Sequence, residues 1–223
     1  MSNRIGVLGL GAAALLASVT LASAADLGGP APPPYERYTP EFSWAGLYFG
    51  MHGGGGWGSA VSINTPADFG VAGPYIGAQV GYNLVMLGDL VLGAEADISW
   101  SGIGGIRQST AGGGITTTED INWFGTVRGR AGWSMGTWMP YITGGWAYAN
   151  ATRTTSVDLE SLTAGHSGWT AGAGVEWAFT PNWIVKAEYK YLSLGNASYP
   201  FTSTTSTVNM GIHTAEIGVN YKF

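Results

Sequence analysis

Glu95 and Asp97 stand two residues apart, as do Arg128 and Arg130, and Lys186, Glu188 and Lys190 continue the same spacing. Glu176, Glu216 and Lys222 occur singly in stretches of similar character. A separation of two puts side chains on one face of a strand. Five acids and five bases presented in this way can pair as ions in a closed interior, or line a narrow ion path. They do not compose a hydrolytic or redox site. His52, His166 and His213 are scattered without zinc-ligand spacing, and the absence of cysteine removes thiolate metal sites and Cys nucleophiles. There is no phosphate-binding loop and no dinucleotide fingerprint. Gly165-His166-Ser167-Gly168 resembles the start of a nucleophile elbow, but Trp169 stands where glycine is required. His166 and Ser167 would suit a lipid-modifying enzyme, yet strand neighbours point to opposite faces. No catalytic, cofactor or metal site is expected.

The elements that must carry these charges are strands. Eight stretches alternate apolar and polar residues over the length a tilted membrane strand needs: 43–53, 74–85, 89–101, 120–133, 138–150, 168–179, 183–194 and the carboxy-terminal 209–223. The apolar face carries Leu47, Phe49 and Met51 in the first stretch and Ile121, Trp123, Val127 and Ala131 in the fourth. It carries Ile142, Gly144, Trp146 and Tyr148 in the fifth, and Ala215, Ile217, Val219 and Tyr221 in the eighth. All ten charges above fall on the opposite face. Three connections are tight turns, Leu87-Gly88-Asp89, Ser134-Met135-Gly136 and Thr180-Pro181-Asn182. The others, 54–73, 102–119, 151–167 and 195–208, read as long loops rich in Gly, Ser, Thr and Asn. Short turns at one end and long connections at the other are the signature of an outer-membrane barrel. Aromatics sort towards both strand ends: Tyr82, Trp133, Tyr141, Trp177, Trp183, Tyr221 and Phe223 at one, Trp100, Trp123, Trp146, Tyr148, Trp169 and Tyr191 at the other. Two such girdles belong at the two interfaces of a bilayer.

Composition agrees. Charged residues make up 10% of the chain, against roughly 25% in soluble domains. The 37 glycines and 13% aromatics suit a lipid-facing exterior with a narrow lumen. The net charge of −5 argues against a nucleic-acid surface. At the amino end, Arg4, an apolar run over 5–21 and Ala22-Ser23-Ala24 form a secretory signal with cleavage between Ala24 and Ala25. Residues 25–42, with Pro30, Pro32, Pro33, Pro34 and Pro40, read as an extended periplasmic leader. The expected domains are therefore signal peptide 1–24, leader 25–42 and barrel 43–223.

Several ordered motifs resemble the small alpha-proteobacterial outer-membrane β-barrel proteins, a surface-antigen group also labelled porin-family or opacity-like. They are Ala24-Ala25-Asp26-Leu27, Trp44-Ala45-Gly46-Leu47-Tyr48-Phe49-Gly50, Gly93-Ala94-Glu95-Ala96-Asp97-Ile98, Gly125-Thr126-Val127-Arg128-Gly129-Arg130-Ala131-Gly132, Pro140-Tyr141-Ile142-Thr143-Gly144-Gly145, Trp183-Ile184-Val185-Lys186-Ala187-Glu188-Tyr189 and Val219-Asn220-Tyr221-Lys222-Phe223. The resemblance implies a Gram-negative outer-membrane location, surface-exposed loops, and insertion by the barrel assembly machinery, which reads the terminal aromatic strand with Tyr221 and Phe223. It brings no catalytic residues.

The expectation is an all-β, eight-stranded antiparallel transmembrane barrel. Its lumen would be plugged by Glu95, Asp97, Arg128, Arg130, Glu176, Lys186, Glu188, Lys190, Glu216 and Lys222, since eight strands enclose room only for their own side chains. The expected role is structural and interactive: contacts with outer-membrane lipid and lipopolysaccharide, and with a host or cell-surface ligand at the loops. A small channel for ions or solutes is the alternative, and a lipid-modifying enzyme the third reading.

Overall fold

The computed structural model describes residues 42–62, 69–85, 88–109, 115–156, 160–200 and 205–223. The signal peptide, the Ala24–Ala25 cleavage point, nearly all of the leader and Leu87 lie outside the described residues.

Eight strands follow one another: β1 Gly46–Ser62, β2 Phe69–Val85, β3 Leu90–Ser109, β4 Ile115–Trp133, β5 Trp138–Thr155, β6 Glu160–Ala178, β7 Trp183–Pro200 and β8 Thr205–Lys222. Each pairs antiparallel with the next, and β8 pairs with β1, so the sheet closes into a barrel. Closure leaves no unpaired edge, which a sheet surrounded by lipid requires. Two of the tight turns carry a left-handed glycine, Gly88 at φ 69° and Gly136 at φ 71°. Gly46 has φ 125°, and the chain before it turns beneath the barrel mouth, where Trp44 is buried.

Strand length departs from the sequence reading. The strands run 17–20 residues, about twice what crossing a bilayer demands. The stretches 54–73, 102–119, 151–167 and 195–208 are mostly strand, including the glycine-rich run at 53–58. Their Gly, Ser and Thr content, which reads as loop, is also the composition of a polar outer face on a strand in water.

The side-chain pattern exchanges phase along the barrel. Between the girdles, the outside carries Ile76, Val80, Ile98, Val127, Ile142, Ile217 and Val219, while the inside is polar. Past Trp100, Trp123 and Trp169 the outside carries Asn122, Thr152, Thr154, Ser161, Thr163 and Asn209, and the inside becomes apolar. β8 makes the exchange without irregularity: Val208, Met210 and Ile212 point inward in line with Thr214, Glu216 and Asn220. β4 makes it through a bulge. Trp100 pairs with Trp123 but Ile103 pairs with Ile121, and on the other side Trp123 and Ile121 pair with the consecutive Asn150 and Ala151. The residue between, Asn122, is displaced outward. A bulge reverses facing, so Ile121 is buried inside and does not meet lipid as its sequence phase suggested. Tyr141 also points inward, since strict alternation with the outward Ile142 leaves it no place in the girdle. Trp138, stacked on Trp177 at 5.5 Å, occupies the girdle there.

Candidate functional site

The lumen is stacked in three layers. The lowest is apolar: Trp44, Val91, Met139, Ala178 and Ile184, with Phe42 packed against them. The Trp44 indole donates to the Gly136 carbonyl at 3.0 Å, which ties the entering chain to a turn across the mouth.

The middle layer holds the charges, and Arg128 is its centre. Its Nη2 lies 2.5 Å from Glu95 Oε1 and 3.2 Å from Asp97 Oδ2, and its Nη1 bonds Glu188 and, at 3.0 Å, Thr143. The planar five-donor guanidinium serves three carboxylates at once, which an ammonium could not match in direction. Arg130 pairs with Glu176 at 2.7 Å, donates to Tyr48 Oη at 2.6 Å and lies over the Tyr141 ring at 4.4 Å. Tyr48 in turn donates to Glu95 Oε2 at 2.7 Å. Lys186 reaches Glu216 at 3.0 Å, Glu188 at 3.2 Å and Glu95 at 3.6 Å. Lys190 lies 2.9 Å from Glu216. Neutral groups extend the web. Tyr75 donates to Glu216 at 2.9 Å and Tyr141 to Glu188 at 3.0 Å. His52 bonds Gln79 and Ser99, Gln79 donates to Asn220 at 2.5 Å, and Asn220 donates to Glu176 at 3.3 Å. All eight strands contribute a member.

Nine of the ten charges singled out in the sequence meet here. Lys222 does not: its ammonium lies at the rim, 5.2 Å from the Phe42 ring. Burying nine charges is tolerable only because each has an opposite partner, since an isolated buried ion costs several kcal/mol. Tyr48, His52 and Gln79 also join the web; the signal for them in the sequence is that they alternate with the outward Leu47, Phe49, Met51 and Val80. Inward glycines make the room. A Cβ at Gly174 would stand 2.6 Å from Tyr141 Oη.

The uppermost layer is apolar again, with Ala60, Val71, Ile103, Ile121, Phe124, Leu192, Leu194, Val208, Met210 and Ile212 among its members. Near the barrel's outer mouth, beyond the girdle, lie two polar pairs. Glu119 and Arg153, assigned to loops from the sequence, are buried cross-strand partners with Arg153 Nη1 3.6 Å from Glu119 Oε2. His166 is buried, its Nε2 2.9 Å from Tyr199 Oη and its Nδ1 3.1 Å from the Gly195 carbonyl. Ser167 points out of the barrel. His166 and Ser167 thus lie on opposite faces of the sheet and form no nucleophile–base pair. Among the described residues no cluster of His, Asp and Glu could hold a metal ion.

At the opposite rim the terminal aromatics are exposed. Tyr221 stacks edge-on with Trp183 at 5.1 Å and with Phe223 at 5.1 Å. The Phe223 amide donates to the Leu47 carbonyl at 3.0 Å.

Two predictions follow from these contacts. Arg128→Ala leaves Glu95, Asp97 and Glu188 facing one another and is expected to cost about 3–5 kcal/mol, read by urea unfolding of the refolded barrel; Arg128→Lys should fall between it and wild type. The second concerns Glu119, whose carboxyl is pushed up to about 7 by burial, opposed by Arg153 and assisted by Asp120. An acid with a raised folded-state pKa binds protons more tightly when folded, so its contribution falls as pH rises from the ordinary carboxylate range to about 7. Glu119→Gln should therefore raise the melting temperature above that pH and change it little at about pH 5. Equal effects at both values would contradict the assignment.

Comparison with known proteins places this arrangement in context. The family model described as "Outer membrane protein beta-barrel domain" matches residues 11–223. The chain is 34% identical over 207 residues to the 31 kDa outer-membrane immunogenic protein of Brucella melitensis biotype 1, covering 82% of this chain and 85% of that one. It is 33% identical over 218 residues to the 25 kDa outer-membrane immunogenic protein of Brucella abortus biovar 1, covering 95% of each. The 22 kDa outer membrane protein of Rhizobium leguminosarum bv. viciae is 31% identical over 186 residues, covering 82% and 80%. Among solved structures, the outer membrane protein OprG of Pseudomonas aeruginosa matches 80% of this chain and 96% of its own at a TM-score of 0.50 and 14% identity, a likeness of fold. With eight strands closed between two aromatic girdles and relatives that are named outer-membrane proteins, the chain belongs to the outer membrane protein β-barrel family and resides in the outer membrane.

Proposed function

We propose that this protein is a sealed, non-conducting barrel that reinforces the outer membrane and presents its strand extensions for contacts at the cell surface. The observation that carries this reading is the layered lumen, in which an ion-paired web lies between two apolar layers. An ion entering from either end would first lose its hydration shell among alkyl and aromatic groups, then meet charges already engaged with one another. The chemistry of the interior supports stability more directly than turnover, and the residues that could have formed a lipid-modifying pair are separated by the sheet.

One observation favours the second reading, a narrow ion path. Asn83 Oδ1, Asp97 Oδ1 and Arg128 Nε are buried without a hydrogen-bond partner. Such atoms favour bound water, and a file of waters could become a route if the ion pairs rearranged. Planar-bilayer recording separates the two. Under the sealed reading, the refolded barrel inserts without reproducible unitary currents. Discrete openings whose ion selectivity shifts on charge reversal at Glu95 or Arg128 would establish the channel instead.

Tyr221 and Phe223 are proposed to act as the signal that the barrel assembly machinery reads. Their exposure at the rim supports this, because an engaged partner could reach both rings. Phe223→Ala should lower the amount assembled in cells while leaving the melting temperature of refolded protein unchanged. A parallel fall in both would assign Phe223 a packing role only.

A further inference from the structure

Within the membrane band the cross-strand ladder runs right around the barrel, but above the outer girdle it is interrupted at two places. β6 and β7 pair from Ala178 and Ile184 up to Gly168 and Leu194, and there the pairing stops, although β6 continues to Glu160 and β7 to Pro200. β2 and β3 stop pairing beyond Ala72 and Gly104. The other ladders carry on: β5 with β6 to Thr155 and Glu160, and β7 with β8 to Pro200 and Thr205. The extension is therefore two four-stranded leaves, one of β3 to β6 and one of β7, β8, β1 and β2, standing on one closed barrel. At the β2–β3 seam lie Val71 and Ile103, both in the apolar layer. The β6–β7 seam is bridged by a polar side chain. His166 on β6 places Nδ1 3.1 Å from the Gly195 carbonyl and Nε2 2.9 Å from Tyr199 Oη, both on β7. A carbonyl only accepts, so Nδ1 carries the hydrogen and Nε2 of the neutral ring accepts from the Tyr199 hydroxyl. A Cβ at Gly195 would stand 2.9 Å from the Ser167 carbonyl oxygen, so glycine there lets β7 come close enough to be held. Beside this contact, Leu162 and Ala164 on the inner face of β6 are only partly buried.

This bridge requires a neutral ring. A proton on Nε2 would oppose the Tyr199 hydrogen and place a charge in an apolar layer. The groups that face the ring do not compensate it in acid. β4 contributes Glu119, β5 Arg153 and β7 Tyr199, whose hydroxyl feels both of those charges. Among the described side chains, β1, β2, β3 and β8 turn Ala60, Val71, Ile103 and Met210 towards this layer, and Asp120 of β4 points outward. The Glu119 carboxyl, pushed up to about 7 by burial, takes up its proton first and leaves the Arg153 charge behind. Burial holds the His166 imidazole below its ordinary value of 6.5, against the pull of the Gly195 carbonyl. A base lowered in this way supports the closed seam fully above 6.5 and loses that support as pH falls below it, because the open form binds the proton better. We propose that the β6–β7 seam is an acid-operated latch: His166 joins the two leaves at neutral pH, and in acid its ring turns out to water and the leaves part, opening the apolar upper layer sideways above the membrane. The latch lies above the girdle and outside the ion-paired web, so it stands whether or not the lumen conducts.

The test is a distance across the seam. The chain has no cysteine, so Thr163→Cys on β6 and Ser198→Cys on β7, both exposed positions, take spin labels without competition. The doubly labelled full barrel is refolded into phosphatidylcholine vesicles, and the spin–spin distance is measured at about pH 7.5 and about pH 5, on either side of the imidazole range. With His166 present the distance should lengthen in acid by roughly one strand spacing, ~5 Å, and return on neutralisation. His166→Gln keeps a donor for the Gly195 carbonyl but does not titrate, so the same pair should keep its short distance at both values. Tyr199→Phe removes the hydroxyl that the neutral ring accepts from and should move the opening to higher pH; it serves as the test if the glutamine variant does not fold. A distance that is the same at both pH values with His166 present would overturn the proposal. So would an equal lengthening in His166→Gln, or an opening pH unmoved by Tyr199→Phe.

Discussion

The constraint on which the structure depends is the mutual satisfaction of the charges buried together in the lumen. Arg128 is the clearest case. Its guanidinium engages carboxylates from β3 and β7 and a hydroxyl from β5, so one side chain fixes the distance across the barrel. Remove it and three acids lose the guanidinium they share, leaving Glu188 to Lys186 alone and Glu95 to Lys186 with Arg130. The same logic dictates what surrounds the web: tyrosines whose hydroxyls take up remaining lone pairs, and glycines wherever a Cβ would displace them. Charge pairing therefore specifies small residues on strands that carry no charge themselves.

The apolar layers above and below change the meaning of this web. Paired ions exposed to solvent at both ends would gain little, because water would screen them. Covered by Trp44 and Met139 beneath and by Phe124 and Leu192 above, they sit where attraction is stronger and rearrangement costs more. The proposed seal thus rests on the stacking of layers, and the charge inventory alone would not require it.

Much of this was legible in the sequence, and the illegible parts have identifiable causes. Period two holds through the membrane band, because lipid outside and ion pairs inside enforce opposite chemistry on alternate residues; Lys186, Glu188 and Lys190 against Val185, Ala187 and Tyr189 show it plainly. Beyond the girdle the environments change places, and so does the phase. In β8 the apolar set moves from Ala215, Ile217 and Val219 to Val208, Met210 and Ile212, a slip visible in the letters once its cause is known. Ile121 misled because Ile121 and Trp123 have the same parity and similar character, and no Gly or Pro marks the bulge between them. Lys222 shares the parity of the buried charges but lies past the last paired layer, where reaching inward has no advantage. In the sequence His166 stands beside Ser167, whereas its hydrogen-bond partner Tyr199 is on another strand.

The strand extensions have a mechanical consequence. β4 continues for eight residues past Trp123, and its neighbours match it with paired backbone and a packed interior. At the rise of a tilted strand, this carries the tips about 20 Å above the girdle. Such a hydrogen-bonded wall resists bending far better than eight separate loops would. It holds the strand ends at a set height above the bilayer, as a stiff spacer does.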